Sequence, residues 1–368
     1  MGTGKIDRPF LIALLVLAGV GTLMVYSASM YTITVSNSSF IQVFKQFFYA
    51  IFGIICMLVI SRLDYRKLNK KRLVQMLFLI TLVLLVVVRF TPLGVEVNGG
   101  KRWLDLKILT VQPSELAKFT GILYLTELLT RKPEVLGHHK SFLKEVACPA
   151  GLLLFLIVIE PSLSATLAVA AGLFAVLYFS GIRFKLLLPY VFLIIPVLAY
   201  LLIETPWRLT RILSFATGTP DYQVAQSLLG IGSGGIFGTG LGNGKQKLLF
   251  LPEVQNDFIF ANIGEEFGLI GCVLLISLYF FIIYRGFKIA LAAPDRFGFL
   301  YTSSVIALLA FQVFINIGVA TNTLPVTGIA LPFISAGGTS IIMLFVMFGP
   351  ILNISKEVNL SKKKRAKK

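Results

Sequence analysis

Acidic residues are scarce in this sequence but gather in one stretch where catalysis could use them. The chain has 17 Asp and Glu among 368 residues, yet Glu253, Asp257, Glu265 and Glu266 all fall within FLPEVQNDFIFANIGEE. Glu253 and Asp257 are four positions apart, so on a helical turn they would share one face. A carboxylate beside an apolar, partly dry surface has a raised pKa and can act as a general base. The stretch therefore predicts acid–base chemistry.

A run of glycines precedes this stretch. GIGSGGIFGTGLGNGKQK carries eight glycines between Gly230 and Gly244, and Lys245 and Lys247 follow. Glycine lets backbone amides approach phosphate closely, so one interpretation is a cradle for a lipid-linked pyrophosphate beside the two lysines. The run matches neither the P-loop nor the dinucleotide-binding pattern, since Gln246 replaces the final Ser or Thr of the former. The other interpretation is a tightly folded re-entrant loop, and both stay open.

Charged side chains also occur at the start of an apolar segment, in GGKRWLDL and VQPSELAKFTGILYL. Glu115 and Lys118 are three positions apart, share a helix face and can pair. Ionisable groups in a span usually line a cavity or substrate path, with a purely structural ion pair as the alternative. Arg102 and Trp103 precede them, although Trp is common at membrane interfaces in any case.

The segment ALPFISAGGTS joins the last two apolar segments. It combines a proline with small hydroxyl side chains and adjacent glycines. It is either a bend at a helix N-terminus or a second wall of a cavity shared with the acidic stretch. Under the second interpretation the cavity residues are Ser335, Gly337, Gly338 and Thr339.

The elements that must position these residues are transmembrane helices. Hydrophobic residues make up 56% of the chain, charged residues 14%, and the mean hydropathy is +0.85. Soluble domains are about 25% charged, so the composition predicts an all-α polytopic membrane protein. Apolar runs of roughly 17–25 residues can cross a bilayer. About ten are present, near 9–30, 41–60, 73–90, 113–131, 145–160, 163–181, 185–204, 262–284, 298–320 and 336–354.

The basic residues predict the orientation of these spans. With the N-terminus in the cytoplasm, Lys and Arg favour the inner segments by roughly three to one, which places both termini inside. Residues 1–355 then form one transmembrane domain with a long outer loop at about 205–261, between helices 7 and 8. Residues 356–368 form a basic cytoplasmic tail. This tail explains part of the net charge of +17 as a topology signal that touches anionic lipid, and no nucleic-acid partner is expected.

The predicted outward position of the acidic stretch restricts its chemistry. ATP and nucleotide-sugars are cytoplasmic, so an enzyme on the outer face needs a substrate that arrives already activated. A sugar on a polyprenyl pyrophosphate meets that need, because pyrophosphate is the leaving group. We therefore expect no nucleotide cofactor.

Several long motifs in a fixed order resemble the SEDS family of shape, elongation, division and sporulation proteins (RodA, FtsW and SpoVE), which polymerise peptidoglycan glycan strands. The resemblance covers nearly the whole chain. Its motifs are VYSAS, GGKRW…QPSELAK, YQVAQSLLGIGSGGIFGTGLGNGKQKLLFLPEVQNDFIFANIGEEFGLIG and NIGVATNTLPVTGIALPFISAGGTS. Asn256 before the acid, Lys247 after the glutamine and NIGV at Asn316 are more typical of the FtsW and SpoVE branch than of RodA.

The resemblance implies a ten-helix glycosyltransferase of the bacterial cytoplasmic membrane that uses lipid II and extends a growing glycan strand. Its implied partners are a class B penicillin-binding transpeptidase and other division or elongation proteins. Asp257 maps onto the family's essential acid, which would deprotonate the 4-hydroxyl of the acceptor sugar. Glu115 and Lys118 would line the same cavity. A divalent cation, Mg²⁺ or Mn²⁺, is also implied, without a dedicated cage of ligands in the sequence.

One motif departs from the family. Many members read (E/Q)PDLG where this chain has EPSLS from Glu160 to Ser164, so no role is carried onto Ser162. Two alternatives to an enzyme also remain. One is a transporter that flips lipid II, which could use Glu115 and Lys118 as cavity charges. The other is a non-catalytic scaffold that recruits the transpeptidase.

Overall fold

Apolar helices form nearly all the regular structure in a computed structural model, which describes residues 4–35, 38–97, 100–105, 110–190 and 206–365. Residues 184–190 are also helical, and their predicted span, 185–204, lies mostly outside the described residues. The helices with described ends are α1 Arg8–Val35, α2 Ser38–Ile60, α3 Lys71–Phe90, α4 Pro113–Arg131, α5 His139–Ile159, α6 Leu163–Phe179, α7 Pro206–Ala216, α8 Tyr222–Ser233, α9 Ile259–Leu291, α10 Arg296–Ala320 and α11 Gly338–Arg365.

Within the described residues, six helices are long and apolar enough to cross a membrane: α1, α3, α5, α9, α10 and α11. The shorter apolar helices Phe44–Ile60 and Leu163–Phe179 match two further predicted spans. The chain is therefore a mostly helical, multi-pass membrane protein. Helix α4 is less apolar than the six candidate spans. It can carry polar side chains because α3, α6 and α10 pack around it, so these side chains face protein rather than lipid.

Two features differ from the sequence-based prediction. The segment predicted as a long outer loop, about 205–261, contains α7 and α8. The prediction of an all-α chain also omits a small antiparallel sheet, β1 Gly94–Val97, β2 Gly100–Asp105 and β3 Thr110–Val111, in the order β1-β2-β3. These strands are too short to give a clear alternating pattern, and their hairpin partners set them in register, with Leu104 opposite both Gly94 and Val111.

Helix ends and kinks then position the polar residues. Pro113 begins α4 directly after β3, so Glu115 lies in its first turn. Helix α9 is kinked at Gly268, whose φ of 64° lies in the left-handed region. Helices α4, α6 and α10 pack against each other, and polar residues from all three, Glu115, Lys118, Ser164 and Gln312, border a common space.

Candidate active site

A cavity of about 330 Å³ lies among α4, α6, α10 and the segments that precede α9 and α11. Nine of the predicted site residues line it: Arg102, Glu115, Lys118, Glu253, Asp257, Ser335, Gly337, Gly338 and Thr339. Nine further polar or aromatic residues in its wall are not among the predicted site residues: Trp103, Thr110, Gln112, Ser162, Ser164, Asn256, Gln312, Phe333 and Ser340. Residues far apart in the sequence are therefore collected around one polar space.

Asp257 is held in the cavity by its own backbone. The Asn316 Nδ2 of α10 donates to the carbonyls of Asp257 and Ile329, at 2.8 Å each, and so joins the segments before α9 and α11. Gly328 lies opposite the carboxylate. Its φ of +74° is a backbone conformation that favours glycine over other residues. A Cβ built at this position would lie 3.3 Å from Asp257 Oδ2 and 4.0 Å from Ser164 Oγ. The carboxylate thus faces the wall that includes Ser164.

The environment of Asp257 suits a base. Burial and, to a smaller extent, the nearby charge of Glu253 raise its pKa to about 6, although the charge of Arg211 lowers it. A carboxyl with this pKa is mostly ionised at neutral pH, yet it accepts a proton more readily than an ordinary aspartate.

Glu253 lines the cavity, but the backbone that positions it differs from the prediction. The segment before α9 consists of turns rather than a helix, so the shared helical face of Glu253 and Asp257 is wrong. Glu253 has a φ of 54° and is exposed, and its carboxylate accepts a hydrogen bond from Asn256 Nδ2. The two carboxylates line one cavity because the chain turns between them.

Glu115 and Lys118 form an ion pair in the cavity wall. The Lys118 Nζ lies 2.6 Å from the Glu115 Oε2, and both side chains are buried on α4. The pair borders the same cavity as Asp257. A structural ion pair and a charged cavity wall, which the sequence left as alternatives, are therefore the same feature here.

Removing one charge of this pair is expected to lower both activity and stability. Either Glu115→Gln or Lys118→Ala leaves its partner buried without its counter-charge, which costs about 1.5–3 kcal/mol of unfolding free energy. In the swapped variant, Glu115→Lys with Lys118→Glu, folding should recover more than turnover, because the charges then stand at the wrong places for substrate. Thermal unfolding and glycan polymerisation measure the two effects. Full activity in Lys118→Ala would show that the pair is dispensable.

The ALPFISAGGTS segment acts as a clamp on the site. The Ser335 hydroxyl donates to the Asn256 carbonyl at 2.6 Å and accepts from the Leu331 amide at 2.8 Å. The Gly337 amide donates to Gln46 Oε1 on α2 at 3.1 Å. This segment is both a bend before α11, which begins at Gly338, and a wall of the cavity.

Thr339 and Arg102 connect the sheet to the cavity. The Thr339 hydroxyl donates to the Thr110 carbonyl at 2.5 Å and accepts from the Gln112 amide at 3.3 Å, which ties β3 to α11. Arg102 on β2 donates to the carbonyls of Glu160 and Pro161, at 3.1 and 2.9 Å. The EPSLS segment, which differs from the family's usual motif, is thus in contact with an arginine of the cavity wall.

Lys245 and Lys247 lie outside the described cavity, so the prediction of a pyrophosphate cradle is corrected. Lys245 is exposed, whereas the Lys247 Nζ is buried 2.7 Å from the Glu266 Oε1 and 3.1 Å from the Ser27 hydroxyl of α1. Ser27 also donates to the Glu266 carboxylate. Sequence spacing does not predict the contacts of Ser27 with Lys247 and Glu266, because Ser27 is far from both in the chain.

The glycine run instead packs tightly against the start of α9. The Glu265 carboxylate accepts from the backbone amides of Lys245, at 2.6 Å, and Gln246, at 3.1 Å. Gly238 has a φ of +81°, and a Cβ there would overlap the carbonyl of Glu266. The four acidic residues therefore divide into two roles: Glu253 and Asp257 face the cavity, while Glu265 and Glu266 hold the loop.

Metal binding stays a prediction. Across the part of the chain that the structure describes, no group of three or more His, Cys, Asp or Glu side chains could hold a metal ion. The cavity contributes two carboxylates, Glu253 and Asp257, in addition to the paired Glu115.

Comparison with known proteins adds relatives to this geometry. Residues 8–360 match the family described as "Cell cycle protein", which groups FtsW, RodA and SpoVE. The chain is 36% identical over 358 residues to "Probable peptidoglycan glycosyltransferase FtsW" of Geobacter metallireducens, with 95% of each chain covered. It is 34% identical over 363 residues to "Stage V sporulation protein E" of Bacillus subtilis, covering 95% of this chain and 97% of the relative.

Solved structures agree with these sequence relatives. A chain from the structure titled "Structural coordination of polymerization and crosslinking by a peptidoglycan synthase complex" superposes with a TM-score of 0.77 at 25% identity, covering 96% of this chain and 98% of the other. The rod shape determining protein RodA of Thermus thermophilus gives 0.67 at 27% identity, covering 96% and 97%. The resemblance read from the motifs is confirmed: this chain belongs to the FtsW, RodA and SpoVE family.

Proposed function

We propose that Asp257 is the general base with which this chain, a peptidoglycan glycosyltransferase, extends glycan strands. The observation that carries the proposal is the Asp257 carboxylate itself, placed in the cavity with its pKa raised to about 6. Such a group can take the proton of the 4-hydroxyl of the acceptor sugar. The hydroxyl oxygen then bonds to the anomeric carbon of the lipid-linked sugar, whose bond to the pyrophosphate oxygen breaks. Polyprenyl pyrophosphate leaves with the electron pair.

The same cavity supplies positive charge for the leaving group. Arg102 and Lys118 are the cations in its described wall, and Glu115 holds Lys118 in place. Cations aimed at developing negative charge stabilise a transition state more strongly in a water-poor site than in water. A divalent cation, Mg²⁺ or Mn²⁺, would neutralise the pyrophosphate further, and no ligands are assigned to it.

The reaction is placed on the outer face of the bacterial cytoplasmic membrane, with lipid II as substrate. The distribution of Lys and Arg supports this placement, because it favours ten spans with both termini in the cytoplasm. A class B penicillin-binding transpeptidase is the proposed partner, because a structural neighbour comes from a peptidoglycan synthase complex that couples polymerisation to crosslinking.

Single cysteines test this orientation. We expect Asn243→Cys, in the exposed glycine loop, to react with an impermeant thiol reagent added outside the cell. Lys67→Cys, between α2 and α3, should react only after the membrane is permeabilised. Both belong in a background that lacks Cys56, Cys148 and Cys272. Asn243 is chosen over Gly242, whose φ of +84° would strain a cysteine. Labelling of Asn243→Cys only after permeabilisation would invert the topology.

A reconstituted assay separates polymerase, flippase and scaffold. Purified protein in vesicles receives labelled lipid II, with and without the transpeptidase, and both polymer and translocated lipid are measured. Glycan polymer that forms only when this protein is present supports the proposal. Translocation without polymer would favour a flippase, and neither product under both conditions would favour a scaffold.

A further inference from the structure

Gln312 is a buried polar residue in the cavity wall that the catalytic scheme does not use. It lies on α10, is 5% exposed and borders the same space as Asp257, Glu115 and Lys118. Its Oε1 has no hydrogen-bond partner among the described residues. A buried amide oxygen without a partner is costly, and the side chain that carries it borders the cavity.

Burial without a partner is not enough to define a site. Asn262 is also fully buried with its side-chain oxygen and nitrogen unpartnered in the described structure, yet it does not line the cavity. Gln312 differs from Asn262 in its position, because Gln312 lies in the cavity wall. Its side chain carries an unmet hydrogen-bonding group and also lines the cavity that contains Asp257.

The helix repeat sets the position of Gln312 relative to the base. Asn316, which holds the Asp257 carbonyl, follows Gln312 by four residues on α10. Residues four apart lie on one helix face, separated by about one turn, or 5.4 Å. Gln312 therefore lies about one helical turn from the anchor of Asp257, on the same face of α10. Gln312 and Asp257 line the same cavity, so a sugar with one hydroxyl at Asp257 would extend within it toward Gln312.

We propose that the Gln312 amide hydrogen-bonds the acceptor sugar and orients its hydroxyl toward Asp257. The inference rests on the proposed function and assigns this site a sugar-binding side chain. A carboxamide has one accepting oxygen and an amino group with two donors, so it can pair with a hydroxyl or an acetamido group of an amino sugar. It exchanges no proton, and its contribution is to bind and to orient. Binding that fixes the reacting hydroxyl contributes directly to rate.

Gln312→Met tests the contact, because methionine keeps the length of the side chain and removes both hydrogen-bonding groups. Binding of labelled lipid II is measured in Asp257→Asn protein, so that turnover does not interfere. We expect the affinity to fall by about 2- to 12-fold, the range for one neutral hydrogen bond. The unfolding temperature should stay the same or rise, because a buried unpartnered amide has been removed. Gln246→Met is the matched control, since its Oε1 is also unpartnered in the described structure but lies outside the cavity.

A second measurement keeps the inference testable if Gln312→Met misfolds. In the cysteine-free background, Gln312→Cys should react with a small thiol reagent, and lipid II should slow that reaction several-fold. Unchanged affinity in Gln312→Met, the same loss in Gln246→Met, or no protection of Gln312→Cys would each overturn the inference. Activity retained by Asp257→Asn would instead overturn the proposed base, and the protection of Gln312→Cys by lipid II would still test the sugar contact.

Discussion

Asp257→Ala is expected to lower the rate of glycan polymerisation by about 10²–10⁴-fold, the usual effect of losing a general base. The loss should come from turnover, because the backbone carbonyl of Asp257, which Asn316 holds, is retained in the variant. Asp257→Asn is the closest change in shape and should be as inactive as Asp257→Ala. Polymer formation from lipid II and partner binding are measured on the same preparations. Near-wild-type polymerisation by Asp257→Asn would remove Asp257 from the chemistry.

The pH dependence of the reaction gives an independent check on this assignment. A base works in its deprotonated form, so with a pKa of about 6 the rate should rise as the pH increases through 6 and level off above neutrality. Because the charge of Glu253 raises that pKa, Glu253→Gln should move the rise to lower pH. Glu134→Gln, which changes an exposed acid between α4 and α5, outside the described cavity, is the control and should leave the profile in place.

Lys247→Met is expected to destabilise the protein by about 3–5 kcal/mol, because it leaves the fully buried Glu266 carboxylate without its counter-charge. The thermal unfolding temperature in detergent should fall clearly, and activity should fall with it. Lys245→Met is the matched control, since Lys245 is exposed and two positions away. It should change the unfolding temperature little.

The double variant Lys247→Met with Glu266→Gln separates charge from packing. Removing both charges is often close to neutral, so much of the lost stability should return. If activity returns with stability, the lysine acts through the fold alone. Loss of activity in a stable double variant would instead give Lys247 a direct role in the reaction, as the sequence first suggested.

Much of the fold follows from hydrophobic run length, but the sites of polar contact do not. The helices that contain 73–90 and 298–320 begin and end close to the predicted bounds, because a bilayer requires a minimum apolar length. Helices α7 and α8 are shorter and amphipathic, so they contain no long apolar run, and their segment was predicted to be a loop. The β-strands depend on partners in neighbouring strands, which a pattern along one strand cannot supply.

The site divides in the same way. The relation of Glu115 to Lys118 is local, three residues along one helix, so spacing predicts it. The partner of Lys247 is not local: the nearest candidates in sequence include Glu253 and Asp257, yet the fold selects Glu266 and Ser27. Gln312 carried no signal beyond its place four residues before Asn316, and only the packing of α10 brings it to the cavity.

The clamp between α2 and the segment before α11 has a consequence for how the protein is made. Gln46 belongs to α2, which is synthesised well before Gly337, the residue that immediately precedes the last described helix. Thr110 and Thr339 are joined across a similar gap in synthesis. The cavity wall therefore closes only when the C-terminal helix has inserted. A chain interrupted before α11 would lack this wall and would therefore lack a complete cavity.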